Sequence, residues 1–136
     1  MYNIILASHG DMAKYTLKTC EMILGEQEGV DSLCLQPGQT KDNYEAELKE
    51  KINACEGGEV LVLADIYGGT PFNSAITHIL RGNNNITLLT GFNLPMVIHA
   101  LMNREREIKE VIAEIQDVGT EGIRDVNEML NSKDNE

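Results

Sequence analysis

Aromatic residues are scarce: the 136-residue chain has no Trp, two Phe and four Tyr. Cysteine stops at three, and Cys20, Cys34 and Cys55 are odd in number, far apart and never in a C-x-x-C pair. That spacing argues against a disulfide framework and against a zinc knuckle. Basic residues are in deficit, with 11 Lys+Arg against 22 Asp+Glu and a net charge of −11. A body of that sign repels phosphate backbones and anionic lipid, so nucleic acid and membrane surfaces are poor partners. Long hydrophobic runs are also missing. The longest, Ile4 to Ala7 and Val60 to Ala64, fall far short of the ~20 residues that a spanning helix needs, and no direct membrane insertion is expected. Met1 to Ser8 carries neither the basic segment nor the cleavage pattern of a signal peptide, so the expected location is the cytoplasm.

What is there is ordinary for a globular protein: 42% hydrophobic and 24% charged residues, which excludes a disordered or collagenous chain. The length suits one domain, burying roughly two-thirds of the surface that the unfolded chain exposes. Residues 1–130 are expected to form it, with a polar tail over 131–136. Short β-rich apolar runs alternate with stretches of helical period, the mark of parallel βαβ units. Ile4 to Ser8, Val30 to Leu35, Glu59 to Asp65 and Ile86 to Thr90 are the strand candidates. Between them Ala13, Leu17, Cys20 and Leu24 recur at helical spacing. So do Tyr44, Leu48, Ile52 and Cys55, and again Phe72, Ile76, Ile79 and Leu80. Pro95 introduces a short helix from Leu94 to Met102, and Ile108, Val111, Ile112, Ile115 and Val118 form another stripe. The expected fold is α/β: an open, doubly wound, mostly parallel sheet of order 2-1-3-4 with helices on both faces. In such sheets ligands sit beyond the carboxyl ends of the strands, where the strand order reverses.

Two motifs fall at that place. The first strand runs into Ser8-His9-Gly10-Asp11, and the third into Asp65-Ile66-Tyr67-Gly68-Gly69-Thr70-Pro71. In the order 2-1-3-4 these strand ends are neighbours, about 4.8 Å apart, and His9 can hydrogen-bond to Asp65. A carboxylate accepting from one ring N–H fixes the tautomer, leaves the other nitrogen as a nucleophile and stabilises the imidazolium that forms when it attacks. Gly68 and Gly69 let backbone N–H groups converge, Pro71 suits a first helical turn, and Thr70 can cap the helix or donate its hydroxyl to an anion. Gly10 opens the first helix in the same way. Together these describe a site for a phosphoryl group on histidine. It needs no cofactor and no metal.

Taken singly, each of these residues has an ordinary structural explanation; position joins them. His78 and His99 fall within helices among aliphatic residues and receive no role. Met12 and Met96 both follow strand ends and could offer a soft apolar contact to a partner. Asp11 would add a negative charge beside a phosphate if it faced the site, and it is expected to point away.

The runs Ile-Leu-Ala-Ser-His9-Gly, Leu-Ala-Asp65-Ile-Tyr-Gly-Gly-Thr-Pro-Phe-Asn73 and Thr-Gly-Phe-Asn-Leu-Pro-Met96, in that order, resemble the enzyme IIA component of the mannose family of the bacterial sugar phosphotransferase system. The resemblance implies a phosphocarrier. His9 would take a phosphoryl group on Nε2 from the phosphohistidine of HPr and pass it to the enzyme IIB component of a IIC/IID membrane permease. Asp65 would bond Nδ1, and Thr70 with nearby backbone amides would surround the phosphate. It also implies a homodimer in which a C-terminal strand, about Gly122 to Val126, pairs antiparallel with the partner's sheet. HPr and IIB would dock in turn on one face around His9, Met12, Thr70 and Met96, with acidic residues kept to its periphery. Three rivals stand beside this reading, one of them a regulatory sensor whose phosphorylation state other proteins read. A metal chelatase also uses a strand ending in Ser-His-Gly but wants a second ligand at a strand end. The IIA-like phosphotransferase subunit of dihydroxyacetone kinase is the alternative carrier.

Overall fold

The computed structural model describes residues 1–134. Four strands, β1 (Asn3–His9), β2 (Val30–Leu35), β3 (Val60–Ala64) and β4 (Ile86–Thr90), form one parallel sheet of order β2-β1-β3-β4. The central strands read as continuous apolar runs because both their faces are covered, and every residue of β3 is buried. Helices α1 (Met12–Leu24), α2 (Lys41–Asn53), α3 (Gly69–Leu80), α4 (Leu94–Met102), α5 (Ile108–Glu121) and α6 (Val126–Asp134) complete the described chain. Strand alternation divides the core. Ile4, Leu6, Leu61 and Leu63 face α1, α4 and α5, whereas Ile5, Ala7, Val60 and Val62 face α2 and α3.

Register sets the site. Ala7 lies opposite Ala64, and β1 continues two residues further, where Ser8 pairs with Cys34 and His9 with Leu35 of β2. His9 is therefore the last residue of a central strand, and Asp65 follows the end of the other. At the opposite end of the sheet buried Arg104 donates to the carbonyls of Tyr2 and Glu28, tying the start of the chain to the turn before β2.

One expectation is corrected. The buried face of α3 is Pro71, Ser74, Ala75 and His78, while Leu80 is 80% exposed. Ala75 packs into the core beside Tyr44, Leu48 and Val62, and His78 bonds the Glu45 carbonyl of α2 at 3.3 Å, so the buried face carries small and polar residues rather than the bulkiest apolar ones. Within the single chain Gly122 closes a turn, and α6 begins at Val126 with the Asp125 carboxylate accepting from the Glu128 amide at 3.1 Å; the exchanged strand expected about Gly122 to Val126 needs the partner's sheet to pair with. An Asp in that position caps a helix, and within one chain the segment has no strand beside it to complete a ladder. The polar tail expected from 131 begins inside α6, which runs to Asp134; residues 135 and 136 lie outside the described ones.

Candidate functional site

The Asp65 carboxylate organises the site. Its Oδ1 accepts from the amide of Ile66 at 2.9 Å, which orients the group. Its Oδ2 accepts twice from one residue: from the backbone N–H of His9 at 2.9 Å and from His9 Nδ1 at 2.8 Å. The carboxylate side chain is 9% exposed, and the imidazole it holds is 44% exposed. With its proton on Nδ1, the ring presents an unprotonated Nε2 outward.

Nε2 lies against the start of α3. A Cβ built on Gly69, at φ +81°, would stand 3.1 Å from His9 Nε2 and 2.8 Å from Cε1, the latter closer than a side chain tolerates. Glycine at 69 is thus a condition for the ring to occupy its place. Gly68 is the N-cap, so the unpaired first amides of the helix and the positive end of its dipole gather beside the open nitrogen. This is the arrangement that holds an anion.

Other expected residues behave differently. Thr70 lies inside the first turn of α3 and not at its cap, which leaves its half-buried side chain clear of a capping role. Gly10 takes φ +56°, but its N–H donates to the Leu35 carbonyl at 2.8 Å. It shapes the turn and has no amide to offer a phosphate. Met12 is 48% exposed beside the site, and the expectation of an accessible Met96 is corrected: it is 5% exposed. A Cβ on Gly119 of α5 would fall 2.5 Å from Met96 Cγ, so α5 covers this side chain and places it in the core. The Asp11 carboxylate accepts from the Gln36 amide at 3.1 Å and is held toward the end of β2.

Several residues at the site were not singled out from the sequence. Ile66 and Tyr67 are 53% and 83% exposed on the loop after β3, and the Tyr67 ring leans on Phe72 with centroids 4.8 Å apart. Tyr15, on the exposed side of α1, lies under the ammonium groups of Lys14 and Lys18 at 5.5 and 5.2 Å. Lys14 and Lys18 thus put two positive charges on the exposed side of the helix that follows His9. A groove of about 370 Å³ separates this helix from the start of α4, lined by Met12, Tyr15, Phe92 and Leu94 among others. Periodicity could not report the solvent exposure of these apolar side chains, since they sit in loops and on a helix edge.

Residues 3–116 match the family model described as "PTS system fructose IIA component", where PTS denotes the phosphotransferase system. The chain belongs to this family. It is 35% identical over 127 residues to the mannose-specific EIIAB component of Escherichia coli K12, covering 89% of this chain and 38% of that relative. The chain thus spans well under half of that longer protein. Against the fructose-specific EIIA component of Bacillus subtilis it is 31% identical over 109 residues, covering 77% of this chain and 72% of the relative. Among solved structures it is similar to the phosphotransferase component EIIA of Streptococcus agalactiae, with a TM-score of 0.87, 28% identity, and 93% and 98% of the two chains covered. A IIA protein associated with the fucose utilization operon of Streptococcus pneumoniae gives a TM-score of 0.86 at 30% identity, covering 95% and 96%. The mannose-family resemblance and the parallel 2-1-3-4 sheet hold. Among the described residues no helix is long and apolar enough to cross a membrane, and no three His, Cys, Asp or Glu gather in a set that could hold a metal ion.

Proposed function

We propose that this chain is a phosphocarrier of the sugar phosphotransferase system, working in the cytoplasm, whose His9 Nε2 accepts a phosphoryl group from phospho-HPr and delivers it to the enzyme IIB component of a IIC/IID permease. One observation carries the reading: Asp65 Oδ2 lies 2.8 Å from His9 Nδ1 on an imidazole that remains 44% exposed. The Nε2 lone pair attacks phosphorus, the donor's P–N bond breaks, and its electron pair returns to the donor ring. The positive charge that develops on His9 is met by the Asp65 carboxylate, and Nδ1 keeps its proton throughout. The amides of Gly69 and Thr70 and the Thr70 hydroxyl receive the phosphoryl oxygens at the α3 N-terminus. Delivery to IIB is the same displacement reversed, so donor and acceptor use one face in turn, with Met12, Tyr15, Ile66 and Tyr67 as its apolar contacts. The sugar-specific relatives support the permease reading over the dihydroxyacetone kinase one.

Incubation with phosphoenolpyruvate, enzyme I and HPr, followed by mapping of acid-labile phosphate, tests this. Phosphate is expected on His9 alone, and none on the His9→Ala protein. Phosphate on His78 or His99, or normal labelling of that variant, refutes the assignment.

The same reading makes residues 1–130 one domain within a homodimer. β4 ends the sheet with no strand on its outer side among the described residues, and Ile123, Val126, Met129 and Leu130 are 47–80% exposed at the C-terminal end. Light scattering should give a dimer, and Val126→Asp with Leu130→Asp a monomer; a monomeric wild-type chain removes this part of the proposal.

A further inference from the structure

Ser8 is fully buried, and strand alternation points its side chain away from that of His9. A buried hydroxyl is costly unless it is bonded, and both bonds of this one go to the turn between β1 and α1. Ser8 Oγ accepts from the Ala13 amide at 2.8 Å and donates to the Gly10 carbonyl at 3.2 Å. Asp11 occupies the N-cap of α1 yet makes no capping bond with its side chain. The cap of this helix is instead supplied from inside the strand, by the residue that precedes the imidazole.

We propose that Ser8 is a positioning residue for His9, pinning the β1–α1 turn so that the imidazole meets Asp65 with its Nδ1 edge; this rests on the phosphocarrier reading. The hydroxyl closes a ring from Ser8 to Ala13 that contains His9 and Gly10. Within it His9 N–H is tied to Asp65 Oδ2 and Gly10 N–H to the Leu35 carbonyl. One oxygen of Asp65 takes both the backbone and the ring nitrogen of the same residue, a geometry that tolerates little movement of the His9 Cα. Gly10, at φ +56°, is the freest link in that ring, and the Ser8 hydroxyl is the bond that holds its carbonyl. Without it the turn can rotate, the Nδ1 bond lengthens, and the tautomer that leaves Nε2 unprotonated loses its preference.

The test compares wild type, Ser8→Ala and Ser8→Thr by two readouts. Single-turnover phosphoryl transfer from phospho-HPr should slow by about tenfold or more in Ser8→Ala, since small misplacements of a reacting group are expensive, while the half-saturating donor concentration stays within about twofold. Long-range ¹H–¹⁵N spectra of His9 should show one Nδ1–H tautomer in wild type and a mixture in Ser8→Ala. Ser8→Thr, which keeps the hydroxyl, should restore both. A Ser8→Ala protein with a lowered melting temperature but wild-type transfer and tautomer would make Ser8 a plain helix cap and overturn the proposal, as would a folded Ser8→Thr that restores neither. If Ser8→Ala does not fold, Ser8→Cys, with its weaker donor, carries the same two readouts. If wild type accepts no phosphate, the phosphocarrier reading fails, and the tautomer spectrum, which needs no donor, still decides on Ser8.

Discussion

Replacing Asp65 by Ala removes the acceptor of three hydrogen bonds: those from His9 Nδ1, from the His9 amide and from the Ile66 amide. Only the first strengthens as phosphorus bonds to Nε2, because the ring then becomes cationic. A hydrogen bond to a charged group contributes about 1.5–3 kcal/mol, and about 1.4 kcal/mol is a factor of ten in rate, so this bond alone is worth roughly 10- to 150-fold. Loss of the tautomer lock adds a factor of a few, because part of the imidazole then carries its proton on Nε2 and cannot attack. The expected slowing is ~10²-fold or more, with a residual rate from the α3 amides and from donor docking. The two amides left unpaired lower the melting temperature without abolishing the fold. Rapid-quench measurement of label transfer from phospho-HPr, beside a circular dichroism melt, reads both effects. Transfer at the wild-type rate in a folded Asp65→Ala protein would show that the carboxylate only shapes the turn after β3, and the reasoning from the 2.8 Å contact would fall.

Gly69→Ala puts a Cβ 2.8 Å from His9 Cε1 at a backbone angle of +81°, so transfer should fall by at least about tenfold with the His9 ring displaced in NMR spectra; an unmoved ring refutes the close approach. Met96→Ala should lower unfolding stability by about 2–4 kcal/mol in urea titrations, as expected of a core methionine, whereas Met12→Asp should leave stability within about 0.5 kcal/mol and weaken phosphoryl transfer. Glu114 is hydrogen-bonded to Arg106 and, second, to His99, which hold its carboxyl down to about 2. A carboxyl lower in the folded than in the unfolded chain stabilises above its unfolded value and ceases to as pH falls through the folded one. Glu114→Gln should therefore melt slightly below wild type at pH 7, and the gap should close between about pH 4.5 and 2; a constant gap would show that the carboxylate's charge plays no part.

The alternation of apolar runs and helical stripes was enough to place four parallel strands, to put His9 and Asp65 each at a strand end and to mark a glycine-rich helix start after Asp65; that the two ends are neighbours followed only on taking the common strand order 2-1-3-4. Those features are local: they follow from chain periodicity, from turn chemistry and from the rule that parallel sheets open their ligand site at the switch in strand order. Contacts between distant segments were not readable in this way. Met96 sits at a strand end like Met12, but α5 covers it because Gly119, twenty-three residues later, leaves room for its side chain. The face α3 buries, Pro71, Ser74, Ala75 and His78, is not the one its most apolar residues mark, and no hydrophobic stripe encodes it. Gly10 lost its amide to Leu35, and Ser8 became the cap of α1, through hydrogen bonds whose partners are fixed only once β1 lies beside β2 and α1 turns back over the sheet. Periodicity reports which side of an element is apolar; which neighbour meets that side, and at what distance, is decided by the packing of the whole chain.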